Sequence, residues 1–229
     1  MEAIVLAGGL GTRLAGVVSD VPKPMAPIHG RPFLCFVLDR LVDSGFKSAV
    51  LATGYRHEAL SGYFGDAYRG LALSYSVESE PLGTGGAIRL AWERVGPREI
   101  FVLNGDTYLE VDYEAMHAAH AAADAMLTLA AFHVGSAGRY GTLEIAEDRV
   151  QGFSEKGRTA PGWINGGTYL LAPSLRALLP AAHAFSFEHD VLEREVSRLR
   201  PHVFRSAGRF VDIGTPEDYA RAASVLCAH

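Results

Sequence analysis

The stretch LAGGLGTRLAGVVSDVPKPM, residues 6–25, begins where a short apolar run meets two glycines. That run, at residues 3–7, is typical of a buried parallel strand. Glycines directly after such a strand let backbone N–H groups approach a phosphate or a base closely. In parallel sheets, ligands bind beyond the carboxyl ends of the strands. The stretch therefore predicts an α/β sheet with a ligand site at the end of its first strand.

Two cations follow these glycines at a fixed distance. Arg13 offers a planar fork of donors that suits phosphate oxygens. Lys23 lies between Pro22 and Pro24, which hold its backbone extended. Either cation alone would most often be a solvated surface charge, but the combination after the first strand favours an anion site. The loop is not a P-loop, and Leu14 stands where the third glycine of GxGxxG belongs, so dinucleotide binding is disfavoured.

The composition limits the classes of protein. The 229 residues carry a formal net charge of −5 without a basic block, so nucleic acid is not an expected partner. No apolar run approaches the roughly 20 residues of a membrane span, and the amino end does not resemble a signal peptide. With two cysteines expected to be free thiols, we expect a cytoplasmic protein. The sequence leaves open whether the chain forms a homo-oligomer.

Strand-like and helix-like segments alternate along the first half of the chain. This rhythm predicts a Rossmann-like, mainly parallel twisted sheet with helices on both faces. The predicted strands are 3–7, 48–54, 71–77, 100–103 and 126–134, and the predicted helices are 32–45, 57–64, 87–95 and 113–123. After about residue 135 we expect a small β-rich part: ribbons at 141–146 and 150–154, a strand at 163–171, helices at 173–179 and 187–198, a strand at 202–204 and a helix starting at 215–217. We expect a single domain over residues 1–229, with its first part at about 1–134.

Polar groups recur at the predicted sheet edge. The loop EPLGTGG, residues 80–86, leads into a helix, an arrangement that suits an anion or a base edge but fits a surface turn equally well. Asp106 ends a buried strand on the same edge as Gly8, and Asp212 follows another apolar pair. Each aspartate alone is more often a cap or a turn residue, whereas two meeting there would suit Mg²⁺. His117 and His120 have helical spacing and are expected on a solvated helix face rather than in a zinc site.

Residues 8–14, GGLGTRL, and 21–25, VPKPM, resemble the signature of the sugar-phosphate nucleotidyltransferases. These enzymes make an NDP-sugar and pyrophosphate from an NTP and a sugar 1-phosphate. The resemblance implies two catalytic cations: Arg13 would hold the β- and γ-phosphates, and Lys23 would bind phosphate oxygens at the reacting centre. The nucleotide-binding residues that it implies are Leu6, Ala7, Gly8, Gly9, Gly11, Thr12, Glu80, Gly83, Thr84, Asn104 and Gly105.

The resemblance extends to the metal and the sugar. NGD, residues 104–106, and DIGTPEDY, residues 212–219, are similar to the two metal-aspartate motifs, so that Asp106 and Asp212 would bind Mg²⁺ as the cofactor. In the implied sugar site, Lys156 would bind the sugar 1-phosphate and Glu155 the sugar hydroxyls. A glycine and an arginine follow Lys156 where the family usually has a proline. The full sugar-phosphate-binding set is Tyr140, Gly141, Glu155, Lys156, Asn165 and Gly166.

Within the family, the motifs PKPMAPI, EPLGTGGAI, LNGDT, RYGT, INGGTYLL, FSFE and DIGTPEDY are most similar to enzymes that guanylylate D-glycero-D-manno-heptose 1-phosphate. We therefore expect GTP and this sugar 1-phosphate as substrates. Uridylyl transfer to N-acetylmuramate 1-phosphate and guanylyl transfer to mannose 1-phosphate stay open as alternatives. A nucleotide-sugar-binding regulatory protein is the non-enzymatic alternative. It is disfavoured because Arg13, Lys23 and both aspartates are present.

Overall fold

A computed structural model describes residues 1–9, 21–154 and 160–226. The strands are β1 (Glu2–Leu6), β2 (Pro27–Ile28), β3 (Arg31–Pro32), β4 (Ser48–Thr53), β5 (Ala67–Tyr68), β6 (Leu71–Val77), β7 (Ile100–Asn104), β8 (Thr107–Leu109), β9 (Leu127–Val134), β10 (Thr142–Ala146), β11 (Arg149–Ser154), β12 (Gly162–Leu171), β13 (His202–Ser206) and β14 (Phe210–Asp212). The α-helices are α1 (Phe33–Asp43), α2 (His57–Phe64), α3 (Gly83–Trp92), α4 (Tyr113–Ala122), α5 (Val196–Leu199) and α6 (Pro216–Val225). Lys23–Met25 and Pro173–Leu178 form 3₁₀ turns, and Phe187–Glu193 is π-helical. None of these helices is long and apolar enough to cross a membrane.

Within the described residues, ten strands form one sheet in the order β10-β11-β13-β9-β12-β7-β1-β4-β6-β5. β7, β1, β4 and β6 are parallel to one another, as the alternation of strands and helices predicts. β12 then runs antiparallel to both β7 and β9. The second part of the chain is therefore a continuation of the same sheet. The predicted α/β class is confirmed, with a mixed sheet on the side of the second part.

Side chains alternate between two hydrophobic layers, one on each face of the sheet. In β1, Val5 packs in the layer that contains residues of α1, α2, α4 and α6. Its neighbour Ile4 points the other way, into a layer built from α3, the π-helical turn and α5. Both residues are fully buried. A strand buried on both faces explains why the opening run is apolar throughout instead of alternating.

Most helix ends lie where the sequence predicts them. α6 begins with Pro216 after Thr215, whose hydroxyl accepts the N–H of Asp218, so the predicted start is confirmed. The predicted helix at 187–198 is instead split into the π-helical turn and α5. α3 starts at Gly83, four residues before the predicted start at 87. Glycines disfavour helix in isolation, and a distant segment stabilises the first turn here.

Two short elements that periodicity does not reveal pair with each other. β8 and β14 are three residues each and form a separate antiparallel ladder. The pairing places Asp212 opposite Thr107. Because Thr107 follows Asp106, this ladder determines how the two predicted metal aspartates lie relative to each other.

The expectation for His120 is wrong. His117 does lie on the exposed face of α4, but His120 is only 4% exposed and its Nδ1 lies 2.8 Å from the hydroxyl oxygen of buried Thr128. Side chains three residues apart on a helix differ in direction by about 60°. This difference lets the ring of His117 face solvent while the ring of His120 faces the core. Burial lowers the pKa of His120 to about 4. The nearby charges of Glu99, which opposes this shift, and of His117, His202 and Arg149, which add to it, are smaller influences.

This pKa makes stability dependent on pH. An unfolded histidine titrates near 6.5, so between pH 6.5 and 4 the unfolded chain binds a proton that the folded chain does not, and stability falls as pH falls. The contribution of one proton is about 1.4 kcal/mol per pH unit at most. We expect His120→Gln to flatten the pH dependence of the free energy of urea unfolding over this interval, and the exposed neighbour variant His117→Gln to leave it unchanged. Equal slopes in wild type and His120→Gln would contradict the assignment.

Candidate nucleotide and metal site

A cavity of about 570 Å³ lies at the carboxyl ends of β1, β4, β6 and β7. This is the edge where the sequence predicts a ligand site. The predicted residues that line the cavity are Leu6, Gly8, Gly9, Lys23, Glu80, Gly83, Thr84, Asn104 and Asp106. The parallel strands thus bring together residues that are up to about a hundred positions apart in the chain.

Two predicted nucleotide-binding residues, Ala7 and Gly105, make backbone hydrogen bonds next to the cavity and are not among the residues that line it. Ala7 is buried and its N–H donates to the carbonyl of Ala52. The N–H of Gly105 donates to the carbonyl oxygen of Leu6 at 2.9 Å. A Cβ on Gly105 would lie 2.7 Å from that same oxygen, so glycine is required for the close approach of the two strand ends.

Lys23 and the two aspartates form the charged side of the site. The Lys23 ammonium donates to Asp106 Oδ2 at 2.5 Å. The N–H of Ile213 donates to the carbonyl oxygen of Asp106, which continues the β8–β14 ladder past Asp212. Burial, and then the neighbouring charge of Asp106, raise the pKa of Asp212, while Lys23 and the N–H of Gly214 act in the opposite direction. The structure thus brings Asp106 and Asp212 near each other, and their role as metal ligands remains a prediction.

The chemistry of this pair fits a hard divalent cation. Across the described ranges, no group of three or more His, Cys, Asp or Glu side chains could hold a metal ion. Mg²⁺ does not require such a cage, because it is commonly bound by one or two carboxylates together with water and substrate phosphates. Two close carboxylates, one of them with a raised pKa from burial and from the charge of the other, meet that requirement.

Glu78 is a residue of the cavity that the sequence analysis missed. It follows β6 and accepts the N–H of Leu82 on Oε2 at 3.2 Å. Burial raises the pKa of its carboxyl group. A Cβ on Gly54 would lie 2.6 Å from Glu78 Oε1, and one on Gly8 would lie 3.1 Å from it. The position of Glu78 directly after a predicted strand was the available signal.

The loop that follows Glu78 packs against a distant part of the chain. Glu80 is exposed and its carboxylate lies 3.0 Å from the ring Nε2 of His183. Gly83 has φ of +70°, and a Cβ there would meet the carbonyl oxygen of Phe185 at 2.5 Å. That carbonyl accepts the N–H groups of Gly85 and Gly86. The first turn of α3 is therefore hydrogen-bonded within the protein, which explains its early start.

The predicted sugar residues lie in the second part of the sheet. Tyr140 packs its ring on Phe210, and Gly141 after it has φ of +72°. Asn165 lies where β12 bulges away from β9, and it donates to the hydroxyl of Tyr169 and accepts the N–H of Gly167. A Cβ on Gly166 would lie 2.5 Å from Leu109. These contacts hold the bulge in place.

Asn104 joins this bulge to the cavity. A Cβ on Gly167 would lie 2.9 Å from Asn104 Nδ2, so the two residues are in close contact. Within the described part of the chain, Asn104 Oδ1 is a buried acceptor without a hydrogen-bond donor. Asn104 also lines the cavity. The residue thus connects the bulge of β12 with the cavity.

Five of the predicted site residues lie outside the described residues: Gly11, Thr12, Arg13, Glu155 and Lys156. Their assignments remain predictions.

The chain matches the nucleotidyl transferase family over residues 2–228 and belongs to that family. It is 43% identical over 226 residues to the D-glycero-alpha-D-manno-heptose 1-phosphate guanylyltransferase of Aneurinibacillus thermoaerophilus, covering 99% of this chain and 98% of that one. It is 40% identical over 220 residues to the enzyme of the same name from Campylobacter jejuni subsp. jejuni serotype O:2, covering 96% and 97%. Among solved structures, HddC from Yersinia pseudotuberculosis complexed with GMP-PN is similar with a TM-score of 0.85 at 36% identity, covering 97% and 98% of the two chains. The predicted family and fold are confirmed.

The close packing of Gly85 against Phe185 can be tested by substitution. Gly85→Ala would place a Cβ 2.2 Å from a ring carbon of Phe185, and we expect this overpacking to lower the free energy of unfolding by about 1–3 kcal/mol. Gly62, in α2, has no atom within 4 Å of the position that a Cβ would take, so Gly62→Ala should stabilise by about 0.5–1 kcal/mol through helix propensity. Urea unfolding of both variants compares the same substitution in two helices. A stabilising Gly85→Ala would show that the segment around Phe185 does not pack as described.

Proposed function

We propose that this chain is a guanylyltransferase that joins GTP and D-glycero-α-D-manno-heptose 1-phosphate, giving the GDP-heptose and pyrophosphate. The observation that supports it best is the cavity of about 570 Å³, which is lined by Lys23 and Asp106 and by the half-buried carboxylate of Glu78. The heptose sugar and the guanine base are proposed from the names of the two guanylyltransferases that are 43% and 40% identical over nearly the whole chain. GTP and sugar phosphates as substrates are consistent with a cytoplasmic enzyme.

The reaction requires charge and position rather than a side-chain nucleophile. An oxygen of the sugar phosphate, already an anion, forms a bond to the α-phosphorus of GTP, and the bond from that phosphorus to the oxygen bridging to the β-phosphate breaks. Pyrophosphate carries away the charge. Lys23, held by Asp106, supplies a fixed positive charge for the phosphate oxygens. Arg13 and Lys156 would act on the leaving and attacking phosphates, as the family resemblance implies.

Asp106 and Asp212 would hold Mg²⁺. When bound, this ion neutralises the charge that accumulates on the phosphates in phosphoryl and nucleotidyl transfer. The proposal is supported by the β8–β14 ladder, in which Asp212 pairs with Thr107, the residue after Asp106. The raised pKa of Asp212, which burial and the charge of Asp106 cause, reflects the same proximity, because a second carboxylate disfavours ionisation until a cation is present.

We assign selection of guanine to Glu78. Guanine presents two adjacent donors, N1–H and the 2-amino group, and one carboxylate can accept from both, whereas adenine lacks a donor at N1. Glu78 is half-buried in the cavity wall and is oriented by the N–H of Leu82. Glu80, one of the predicted nucleotide-binding residues, is exposed and paired with His183, so it is less well placed to hold one orientation.

The sugar site is proposed from the second part of the chain. Tyr140, Gly141, Asn165 and Gly166 would shape it, and Glu155 with Lys156 would bind the sugar hydroxyls and the phosphate. Asn104, with its buried acceptor oxygen, lies between this region and the nucleotide cavity.

A substrate matrix tests the function directly. Pyrophosphate release would be measured with Mg²⁺ for GTP, UTP, dTTP, ATP and CTP against heptose, mannose, glucose and N-acetylmuramate 1-phosphates. We expect turnover with GTP and the heptose 1-phosphate to exceed every other combination. Fast turnover with UTP and N-acetylmuramate 1-phosphate would instead move the chain to the uridylyl enzymes. Nucleotide-sugar binding without any turnover would indicate a regulatory protein.

The role of Glu78 is tested by Glu78→Gln. The amide cannot accept both guanine donors, so we expect kcat/KM for GTP to fall about 10- to 100-fold, as for loss of a hydrogen bond to a charged group. For ITP, which lacks the 2-amino group, kcat/KM should fall less than for GTP. The ratio of kcat/KM for GTP to that for ITP should therefore decrease. Glu80→Gln is the matched control and should keep that preference. The reverse result, with only Glu80→Gln losing it, would assign guanine selection to Glu80.

A further inference from the structure

Residues 180–188, PAAHAFSFE, form a segment that we call the strap, because it crosses the start of α3. Arg89, in the second turn of that helix, donates to the carbonyl oxygens of Pro180 and His183 at 2.7 and 3.0 Å. Its guanidinium also lies 5.1 Å from the ring centroid of Phe185. The strap is therefore fastened to α3 at several points along its length.

The backbone of the strap is bonded to the nucleotide loop. The N–H of Phe185 donates to the carbonyl of Leu82 at 2.9 Å, and the Phe185 carbonyl accepts from Gly85 at 3.0 Å. Gly83 and Gly85 leave no room for a Cβ against Phe185. The shape of the loop at 80–86 thus depends on where the strap lies.

Glu188, at the end of the strap, bonds to a residue of the cavity wall. Its Oε2 accepts the hydroxyl of Thr84 at 2.5 Å and that of Ser186 at 3.2 Å. The Thr84 oxygen in turn accepts the N–H of Phe187 at 2.9 Å. Thr84 lines the nucleotide cavity. A hydrogen bond to a carboxylate is about twice as strong as one between neutral groups, so this pair is a strong polar link between strap and loop.

Glu188 also lies beside the second part of the sheet. It is one of the charges that act on the buried hydroxyl of Tyr169, which accepts a hydrogen bond from Asn165. Tyr169 and Phe187 are in edge-to-face ring contact with centroids 5.2 Å apart. The carboxyl end of the strap therefore contacts both the buried Tyr169 of the sheet and Thr84 of the nucleotide loop.

We propose that Glu188, through its hydrogen bond to Thr84, is a positioning residue that holds the loop of residues 80–84 in the shape that binds the nucleotide base. Glu188 touches neither substrate in this role. The proposal rests on the proposed function only in that the cavity beside Thr84 binds a nucleotide.

The test compares Glu188→Ala, Glu188→Gln and Glu193→Ala. Glu193 is an exposed carboxylate of the same π-helical turn and is the matched control. For Glu188→Ala we expect KM for GTP to rise about tenfold, the equivalent of one hydrogen bond to a charged group. We expect kcat to stay unchanged, and KM for the sugar 1-phosphate to stay unchanged as well. Glu188→Gln, whose amide oxygen still accepts from Thr84, should recover part of this loss, and Glu193→Ala should match wild type.

Hydrogen–deuterium exchange on the free protein gives a readout that needs no substrate. We expect Glu188→Ala to speed exchange in peptides covering residues 82–88 while the central strands keep their protection. A rise only in KM for the sugar phosphate would show instead that Glu188 contacts the sugar. Faster exchange throughout the sheet, with equal losses in all kinetic constants, would show a general loss of stability and overturn the proposal. Unchanged exchange at 82–88 would also overturn it. If the wild type fails to use GTP, the proposed function is wrong, but the exchange result still decides the role of Glu188.

Discussion

The pairing of β8 with β14 is the constraint on which the charged side of the site depends. Each strand is three residues long, and the ladder connects the middle of the chain to its last quarter. It sets Asp212 opposite Thr107, the residue after Asp106, and Asp106 accepts a hydrogen bond from Lys23. Burial and then the charge of Asp106 raise the pKa of Asp212, while the charge of Lys23 acts in the opposite direction. The fold, and not local sequence, thus brings these charged side chains to the same edge.

The same arrangement explains how an acidic chain can act on acidic substrates. The formal net charge is −5, yet binding depends on the field within the cavity, where a few fixed charges act at short range and are screened less than surface charges. Lys23 is held in place by its neighbour instead of moving in solvent. Arg13 and Lys156, if they act as the family resemblance implies, would add to this local field without changing the balance of the whole surface.

Long periodic elements could be predicted from the sequence, and contacts between distant elements could not. The strand over Leu71–Val77 and the helix over His57–Phe64 lie where their patterns predict, because each is long enough to show its period. β8 and β14 are too short to show one. His120 was assigned to solvent because the pattern of α4 does not reveal that Thr128 lies beneath it. Glu78 was missed because its significance comes from Gly54 and Leu82, which only the folded chain brings to it.

The glycines of residues 83–86 show why a motif can be found without its reason being understood. As a sequence pattern they suggest an open backbone that faces a ligand, and Gly83 does line the cavity. In the structure, Gly83 and Gly85 also leave space for Phe185, and the N–H groups of Gly85 and Gly86 are bonded to its carbonyl. The loop of residues 80–86 is therefore shaped by a segment about a hundred residues away in the chain. The N–H of Leu82 orients the Glu78 carboxylate, and the carbonyl of Leu82 accepts the N–H of Phe185. If Glu78 selects guanine as proposed, substitutions in the strap as well as in the loop are expected to alter that selection.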